Sequence, residues 1–445
     1  MLKINLTKID TNNNNFYNNL KYLLNINFEN ILNKVENYVK NIIYNVKKYK
    51  EKSLLFYSKK FEKNSIKNIE DIIIKKNKLK EAFYKIDKET RFILEVCKNR
   101  IEMIHNEQKK NFINNWKIVE ESGNFLGQKN NNIENVGVYI PGGKALYPST
   151  VFMNVLPAKI SNAKRIEIFF PKNDKNDIIL ASLYLCGVKK VFSIGGVQAI
   201  ATMVYGNNIV KKVNKICGPG NIFVTFSKKI LNGFVGIDTL AGPSEVVIFC
   251  DNYSNIENVV FDLFSQSEHD KLSQSILLSE NFDFIKNIEK NIKKIIPFLY
   301  RKNINYNSIL NNILLIKTKN KNESFNIINY ISSEHFIINI KNDFEFFKNV
   351  KNSGSNFIGL YTSESFGDYI MGLNHVIPTK TNSKFSSSLG VYDFYKKISY
   401  LKMNKFSFEK FFHLTSNFSL EEKLFTHSES IKIRLKKFNN NIYND

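Results

Sequence analysis

The chain of 445 residues is poor in several residue types that mark whole classes of protein. Its four cysteines (Cys97, Cys186, Cys217 and Cys250) are far apart and form no CxxC pair. This spacing excludes a disulfide scaffold and a thiolate metal site, and it indicates a reducing compartment. No uncharged apolar run is long enough to span a bilayer, and residues 1–30 lack the apolar stretch of a signal peptide. We therefore expect a cytoplasmic protein that does not contact a membrane.

Arginine is also scarce, although the formal net charge is +23. Only five of the 64 basic residues are Arg, and the lysines are spread along the whole chain together with Asn, Ile, Phe and Tyr. Proteins that read bases or phosphates favour the bidentate guanidinium of Arg. The composition therefore indicates a solvated basic surface of the kind that AT-rich coding produces, and we expect no nucleic-acid partner.

Glycine and proline are concentrated in the middle of the chain. Twelve of the 19 Gly lie between Gly137 and Gly242, and six of the eight Pro lie between Pro141 and Pro243. Glycine allows positive φ or close backbone approach, and proline fixes turns. Because the rest of the sequence has few of either, this block is the predicted ligand-handling part.

The apolar periodicity predicts an α/β fold. Ahead of the block, apolar residues recur at helical spacing from Ile31 to Val46, and within it residues 165–170 and 190–194 are predicted strands, the second followed by Gly195-Gly196 and a helix. Strand, glycine turn and helix form the rhythm of a doubly wound layer. Further strands are predicted, at 246–250, 275–278, 336–340 and 357–361. No GxGxxG motif occurs, so both Rossmann-like layers are predicted to be incomplete.

These elements predict the following domain boundaries. Residues 1–30 form an N-terminal helical segment, and residues 391–445 form a C-terminal helical segment. Residues 31–135 and 245–390 form a first, discontinuous α/β domain. Residues 136–244 form a second α/β domain, inserted between the two parts of the first, which handles the ligand.

Three of the six histidines lie in short polar islands that predict a metal-dependent site. Gln266 and His269 are three residues apart on a predicted helix, so they project from one face. Asp368, in a glycine-rich loop, adds a carboxylate. A mixed oxygen and nitrogen set of this kind binds zinc or other divalent ions. Taken singly, a polar helix face and a turn aspartate explain the same residues equally well.

The adjacent pair Glu334-His335 precedes a predicted strand. Neighbouring Glu and His side chains can divide the roles of base and acid, although a histidine with a structural partner at a strand start is an alternative. Residues 217–221 and 241–245 form glycine-proline turns whose backbone amides suit a phosphate or a carboxylate. From the residues alone we predict a metal-dependent α/β enzyme.

Long, ordered segments of the chain resemble the histidinol dehydrogenase family, from about residue 30 to residue 435. The segments are VGVYIPGGKALYPSTVFMNVLPAKI (136–160), VFSIGGVQAIATMVYG (191–206), KICGPGNIFVT (215–225), IDTLAGPSEVVI (237–248), LFSQSEHD (263–270), SSEHFII (332–338), ESFGDYIMGLNHVIPT (364–379) and SSSLGVYDF (386–394). The resemblance implies a zinc enzyme that oxidises L-histidinol through the aldehyde to L-histidine, the last step of histidine biosynthesis, and passes two hydrides to two NAD molecules.

The resemblance also implies roles for individual residues. The zinc ligands would be Gln266, His269, Asp368 and His427, with one ion per subunit. The NAD contacts would be Tyr139, Gln198 and Asn221. The substrate contacts would be Ser244, Gln266, His269, His335, Asp368, Glu422 and His427, with His375 as an addition. The catalytic pair would be Glu334 and His335. The family further implies a homodimer, in which Glu422 and His427 complete the site of the partner chain.

Some positions depart from the pattern of the family. Lys144 replaces a small residue in the glycine turn, Val197 replaces Ala beside Gln198, and Ile370, Met371 and Leu373 replace smaller or polar residues. We expect these changes to alter NAD affinity or loop packing, while every predicted ligand and base is kept. The rival interpretations are a zinc hydrolase that does not use NAD, a basic nucleic-acid-binding protein that retains the enzyme fold, and a folded but inactive enzyme.

Overall fold

The computed structural model of the chain describes residues 6–25, 29–62, 66, 68–142, 147–171, 177–240, 242–299 and 312–440. By its internal contacts the chain divides into two compact units. The first comprises residues 1–109 and 133–394, and the second comprises residues 110–132 and 395–445.

Fifteen strands are numbered here in chain order within the described residues. They are β1 (Thr7–Asp10), β2 (Ile73–Lys75), β3 (Trp116–Val119), β4 (Phe125–Asn132), β5 (Asn135–Tyr139), β6 (Arg165–Phe169), β7 (Lys190–Phe192), β8 (Lys215–Cys217), β9 (Gly236–Ile237), β10 (Glu245–Cys250), β11 (Gln274–Ser279), β12 (Ile313–Lys317), β13 (His335–Asn339), β14 (Ser355–Ile358) and β15 (Tyr395–Lys402).

The helices in the same residues are numbered likewise. They are α1 (Phe16–Asn25), α2 (Glu29–Glu62), α3 (Lys76–Lys85), α4 (Lys88–Phe112), α5 (Pro148–Ile160), α6 (Asp177–Leu185), α7 (Gly196–Tyr205), α8 (Ile222–Leu231), α9 (Ile256–Ser267), α10 (Phe282–Ile295), α11 (Lys321–Ile331), α12 (Asp343–Phe347), α13 (Glu364–Tyr369), α14 (Lys405–Glu421) and α15 (Phe425–Asn440). Short 3₁₀ turns add Ile69–Ile72, Ile296–Phe298, Asn382–Lys384 and Val391–Phe394.

The abundant asparagine of the sequence has a structural use at helix starts. Five helices begin after an Asn whose side-chain oxygen accepts hydrogen bonds from the first backbone amides of the helix. These N-caps are Asn221, Asn255, Asn281, Asn320 and Asn404. Asparagine is among the best capping residues, so the excess of Asn costs these helices nothing at their starts.

Two six-stranded sheets form the framework of the first unit. The β5 sheet has the order β2-β7-β6-β5-β8-β9 and is parallel except for β2, which runs antiparallel to β7. The β10 sheet has the order β1-β12-β11-β10-β13-β14 and is parallel throughout. In each sheet the strand order reverses once, between β5 and β8 and between β10 and β13. The predicted α/β class with doubly wound layers is confirmed.

Each sheet is covered by helices on both faces, because alternate side chains of a strand point to opposite sides. In β10, Val246 and Ile248 pack with residues of α9 and α10, whereas Val247 and Phe249 pack with residues of α1 and α11. The β5 sheet has α2, α7 and α8 on one face and α3 to α6 on the other. Near-continuous apolar strands such as VVIF in β10 follow from this two-sided burial.

The packing differs from the predicted domain boundaries in the first third of the chain. Residues 31–135 were predicted to belong with residues 245–390. Instead, α2 packs on α7 and α8, α3 packs on α6, and β2 joins the β5 sheet. The segment 1–30 was predicted to be helical, yet it also contributes β1, which pairs with β12. Helical periodicity identifies a buried face, but it does not identify the sheet that covers that face.

The second unit consists of an antiparallel sheet and two helices. The sheet has the order β15-β4-β3, and all eight residues of β15 pair with β4. Helices α14 and α15 pack against each other, and Ser416 and Ser428 form a buried hydroxyl contact of 2.7 Å between them. The segment 391–445 was predicted to be helical, and it also supplies the strand β15.

The described residues contain no helix with the length and uncharged apolar stretch that a membrane crossing requires. All four cysteines are unpaired and buried. Burial raises the pKa of the Cys97 thiol to about 11 and that of the Cys186 thiol well above its usual range. These thiols are therefore protonated and unreactive in the folded chain.

A buried ion pair joins the two turns that follow β8 and β9. Lys228, on α8, contacts the Asp238 carboxylate and also donates hydrogen bonds to the carbonyls of Gly218 (3.1 Å) and Thr239 (3.2 Å). The other oxygen of Asp238 accepts from the Gly218 amide at 2.7 Å. Gly218 has φ +113°, and a Cβ there would lie 2.0 Å from the Tyr139 carbonyl oxygen. The turn therefore needs glycine, and the ion pair holds it against the end of β5.

We predict that Lys228→Met destabilises the protein by about 3–5 kcal/mol, because it leaves the buried Asp238 carboxylate without its cation. Urea unfolding followed by circular dichroism measures the change. Lys164→Met is the matched control, since it breaks the exposed Lys164–Glu134 pair and should cost little. Equal, small losses in both variants would show that the buried pair does not hold the turn.

Candidate active site

A cleft of about 460 Å³ in the first unit is lined by both sheets. The β5 sheet contributes the turns that follow the carboxyl ends of β5 and β8, with Pro141 and Asn221. The β10 sheet contributes the residues at the amino ends of β10 and β13, with Ser244 and Glu334. The contribution of the β5 sheet is the usual one, because ligands of parallel sheets bind beyond the carboxyl ends of the strands, where the strand order reverses. The β10 sheet presents its opposite end to the same cleft.

A candidate metal centre lies at this cleft. The ligand atoms of His269, Glu364 and Asp368 are all within 4.8 Å of one another. Gln266 is fully buried, and its side-chain oxygen and nitrogen have no hydrogen-bond partner among the described residues. Leaving a buried amide unpaired costs about 1–3 kcal/mol. Nitrogen and oxygen donors in such a cluster fit zinc or another divalent ion, and an ion would satisfy the orphaned amide oxygen.

Local structure explains how these donors meet. Helix α9 ends at Ser267, so His269 lies just beyond the helix and not on it as predicted, and its amide bonds back to the Gln266 carbonyl at 3.3 Å. Asp368 lies on α13 and not in the predicted loop. A Cβ at Gly367 would lie 2.5 Å from the Phe357 ring, so α13 packs too closely against β14 for any larger residue.

Glu364 is a member of this centre that the sequence analysis missed. It precedes Asp368 by four residues on α13, which puts the two carboxylates on one face of the helix. Glu364 is 2% exposed, and burial, with the Asp368 charge as a further cause, raises its pKa well above the usual range. The i, i+4 spacing of the carboxylates was the available signal, and a predicted loop at this place concealed it.

The Glu334-His335 pair is buried beside the centre. Glu334 accepts a hydrogen bond from the Glu245 amide at 3.0 Å, and burial raises its pKa well above the usual range. The Nδ1 atom of His335 lies 3.3 Å from Glu364 and 3.9 Å from Glu334, and its Nε2 atom lies 3.9 Å from Asp368. Burial lowers the pKa of His335 to about 4, against the pull of the Asp368 charge. The imidazole is therefore neutral near neutral pH.

His375 also lines the cleft. Its Nε2 atom lies 3.1 Å from the Thr150 hydroxyl, and its Nδ1 atom lies 3.3 Å from the Asp368 carbonyl. The loop that carries it is held from α4, where buried His105 contacts Asn374 at 3.3 Å. Cleft residues on α5 and on α13 are therefore joined through this histidine.

The predicted cofactor residues lie at the carboxyl end of the β5 sheet. Tyr139 is the last residue of β5, and its hydroxyl accepts a hydrogen bond from the Gly196 amide at 3.0 Å. Burial raises the pKa of Tyr139 to about 12, so this hydroxyl stays neutral. Gln198 is buried in the first turn of α7, and Asn221 caps α8 at the cleft wall. All three therefore lie beside the Gly195-Gly196 or Gly218–Asn221 turn.

Two of the predicted site residues, Glu422 and His427, belong to the second unit. Both are exposed there, Glu422 after the end of α14 and His427 near the start of α15. The other predicted metal and substrate residues (Ser244, Gln266, His269, His335 and Asp368) lie together in the first unit. The assignment of the two C-terminal residues stays a prediction.

The chain is similar to known proteins along nearly its whole length. The family model for histidinol dehydrogenase matches residues 27–435. The chain belongs to the histidinol dehydrogenase family. It is 38% identical to the histidinol dehydrogenase of Neisseria gonorrhoeae over 434 residues, which cover 97% of this chain and 100% of that one. The corresponding enzyme of Hydrogenovibrio crunogenus is 36% identical over 436 residues, with the same coverage.

A solved structure agrees with the fold of this family member. The crystal structure of histidinol dehydrogenase from Elizabethkingia anophelis superposes with a TM-score of 0.86 at 30% sequence identity, over 98% of this chain and 99% of that chain. The chain is therefore an oxidoreductase of the histidinol dehydrogenase family, as the sequence motifs predicted.

The described positions that depart from the family pattern lie either in the cores or at the surface of the first unit. Val197 is buried in the core on the α7 side of the β5 sheet, and Ile370 is partly buried against the opposite core. Met371 and Leu373 are exposed. Lys144 lies outside the described residues. In the described part, none of these side chains replaces a member of the donor cluster.

We predict that Gln266→Leu stabilises the metal-stripped protein by about 1–3 kcal/mol, because leucine removes an unpaired buried amide at similar volume. Thermal unfolding of chelator-treated protein measures this, and zinc should then raise the melting temperature of the variant less than that of the wild type. Gln198→Leu is the matched control, since Gln198 is equally buried but its amide is paired. It should destabilise, and a destabilised Gln266→Leu variant would contradict the ligand assignment.

Proposed function

We propose that the chain catalyses the oxidation of L-histidinol through L-histidinaldehyde to L-histidine, with two NAD molecules as hydride acceptors and one zinc ion per subunit. The observation that carries this proposal is the single cleft that contains the donor cluster, the buried Glu-His pair and the turns of the β5 sheet. Membership of the histidinol dehydrogenase family supports the substrate and the reaction.

Gln266, His269 and Asp368 would hold the zinc ion, and His427 of the partner subunit would complete the set. A bound zinc ion would supply a Lewis acid for the nitrogen atoms of the substrate, and bound NAD would supply the hydride acceptor. The cleft would hold the substrate between the two sheets, so that the reacting carbon is already oriented for the reaction.

His335 is the base of the first half-reaction. Its Nε2 atom faces the Asp368 carboxylate of the donor cluster at 3.9 Å and is the nitrogen that would take the proton of the substrate hydroxyl. Because burial keeps the imidazole neutral at pH 7, the base needs no prior deprotonation.

Glu334 is the base of the second half-reaction. A carboxylate whose pKa is raised by burial holds a proton more tightly than an exposed one. In its ionised form, Glu334 would take a proton from the water that adds to the aldehyde carbon. The resulting gem-diolate would give up the second hydride and become the carboxylic acid. Glu334 itself is fixed by the backbone amide of Glu245.

The remaining assignments concern cofactor, assembly and location. Tyr139, Gln198 and Asn221 would contact NAD, and Ser244 and His375 would contact the substrate. The protein would be a cytoplasmic homodimer in which Glu422 and His427 of the partner subunit complete each site. Four buried, unpaired thiols support a reducing compartment.

We predict that zinc-loaded protein forms NADH from L-histidinol, followed at 340 nm, because cleft, donors and bases are all present. Removal of the metal with a chelator should abolish the turnover, and added zinc should restore it. Turnover that persists after complete stripping would overturn the role of zinc. A folded, zinc-loaded dimer without turnover would favour the interpretation of the protein as an inactive enzyme. Salt-sensitive binding of DNA by that protein would favour the nucleic-acid-binding alternative.

We predict that His269→Ala loses both bound zinc and turnover, because it removes a nitrogen donor from the cluster. Metal content by elemental analysis and NADH formation measure the two effects. His413→Ala, which changes an exposed histidine of the second unit, is the matched control and should keep both. Full zinc occupancy in His269→Ala would remove this residue from the ligand set.

We predict that Glu334→Gln retains zinc and slows the aldehyde-to-acid step by about 10²–10⁴-fold, the usual contribution of a general base. The first step, measured as a burst of NADH in single turnover, should change much less and serves as the internal control. A variant that slowed only the first step would exchange the roles of Glu334 and His335.

A further inference from the structure

Glu62 occupies an unexpected position for a carboxylate. It is the last residue of α2, and the preceding turn carries Lys59 and Lys60. The C-terminus of a helix has a partial negative charge, so cations stabilise it and a carboxylate does not. Glu62 must therefore obtain its stabilisation outside its own helix.

Its partners are at the start of α7, a helix that covers one face of the β5 sheet. One oxygen of Glu62 accepts a hydrogen bond from the Gly195 amide at 2.8 Å and another from the Gln198 side-chain amide at 3.3 Å. The next amide, that of Gly196, donates to the Tyr139 hydroxyl at 3.0 Å. The backbone amides at the N-terminus of α7, which carries a partial positive charge, are therefore bonded to the Glu62 carboxylate and the Tyr139 hydroxyl. This pairing explains the charge at the end of α2.

The contact also fixes the orientation of the Gln198 amide. A carboxylate only accepts hydrogen bonds, so the NH₂ group of Gln198 must face Glu62 and its oxygen must face away. Gln198 is 1% exposed, and its oxygen lies against the turn, 2.9 Å from where a Cβ of Gly196 would be. With the amide held in this sense, the side-chain oxygen of Gln198 is the atom presented toward the Gly195-Gly196 turn, and an oxygen acceptor suits a hydroxyl or carboxamide donor and repels a phosphate.

We propose that Glu62 is a positioning residue for the nicotinamide cofactor. It holds Gln198 and the Gly195-Gly196 turn in the cofactor-binding arrangement. Its negative charge also keeps the cofactor phosphates away from the start of α7 and directs them to the Gly218–Asn221 turn. The inference rests on the proposed function, in which Tyr139 and Gln198 contact NAD. It adds a residue from α2, outside the glycine- and proline-rich block, to the determinants of cofactor affinity.

The test compares Glu62→Ala, Glu62→Gln and a control in steady-state turnover with L-histidinol and NAD. Glu51→Ala is the matched control, because Glu51 lies on the same helix and accepts a hydrogen bond from another backbone amide, that of Asn208, at 2.9 Å. Charge-assisted hydrogen bonds are about twice as strong as neutral ones. Glu62→Ala should raise the KM for NAD about tenfold, and Glu62→Gln, which keeps an acceptor oxygen, about threefold. The KM for histidinol and kcat should stay within about twofold.

A purely structural role would give a different pattern. Parallel losses in kcat, in both KM values and in melting temperature, with no recovery in Glu62→Gln, would overturn the proposal, as would an unchanged KM for NAD in both variants. Titration of NADH fluorescence separates this proposal from the proposed function. Wild-type protein that binds NADH without turning over histidinol would refute only the reaction. The weaker binding expected in Glu62→Ala would still decide the role of Glu62, and wild-type protein that does not bind NADH refutes both.

Discussion

The need to satisfy polar groups that have been taken out of water governs the cleft and the elements around it. Gln266, Glu364 and His335 are all nearly or fully buried, and each has at least one side-chain polar atom without a hydrogen-bond partner among the described residues. Each such atom costs about 1–3 kcal/mol, against a total stability of about 5–15 kcal/mol. A chain selected only for stability would not keep three of them together. Their concentration at one place supports the proposal that this site binds a cation and a polar substrate.

The two sheets solve different parts of this problem. The β5 sheet presents its carboxyl end, where the turns that follow β5 and β8 line the cleft. The β10 sheet presents its amino end, where the first residues of buried strands carry Glu245 and His335 into a dry environment. Side chains at a strand start are held by the pairing of the strand, so acid and base groups remain fixed while burial shifts their pKa values. The proposed cofactor contacts and the proposed acid–base groups are thereby separated between two frameworks.

The sequence allowed the strands and the donors to be predicted to different extents. Buried parallel strands such as β6 and β10 are short apolar runs between turns, so they were found almost to the residue. Gln266 and His269 were proposed as metal ligands because histidine is rare in this sequence, and this assignment stays a prediction. Glu364 was missed, since a six-residue helix contains too few turns to show a period. The placement of α2 was missed because its apolar stripe fits either sheet, and Glu62 lies at its end, where periodicity carries no information.

The buried cysteines give the molecule a property that its catalytic groups do not. Cys97 lies on α4, Cys186 follows α6, Cys217 ends β8 and Cys250 ends β10, so the four thiols sample both sheets and the helices that cover one of them. None is accessible in the native state, and a thiol reagent can reach one only after the surrounding layer has opened. The alkylation rate of each cysteine would therefore report how often the part of the fold around that cysteine opens.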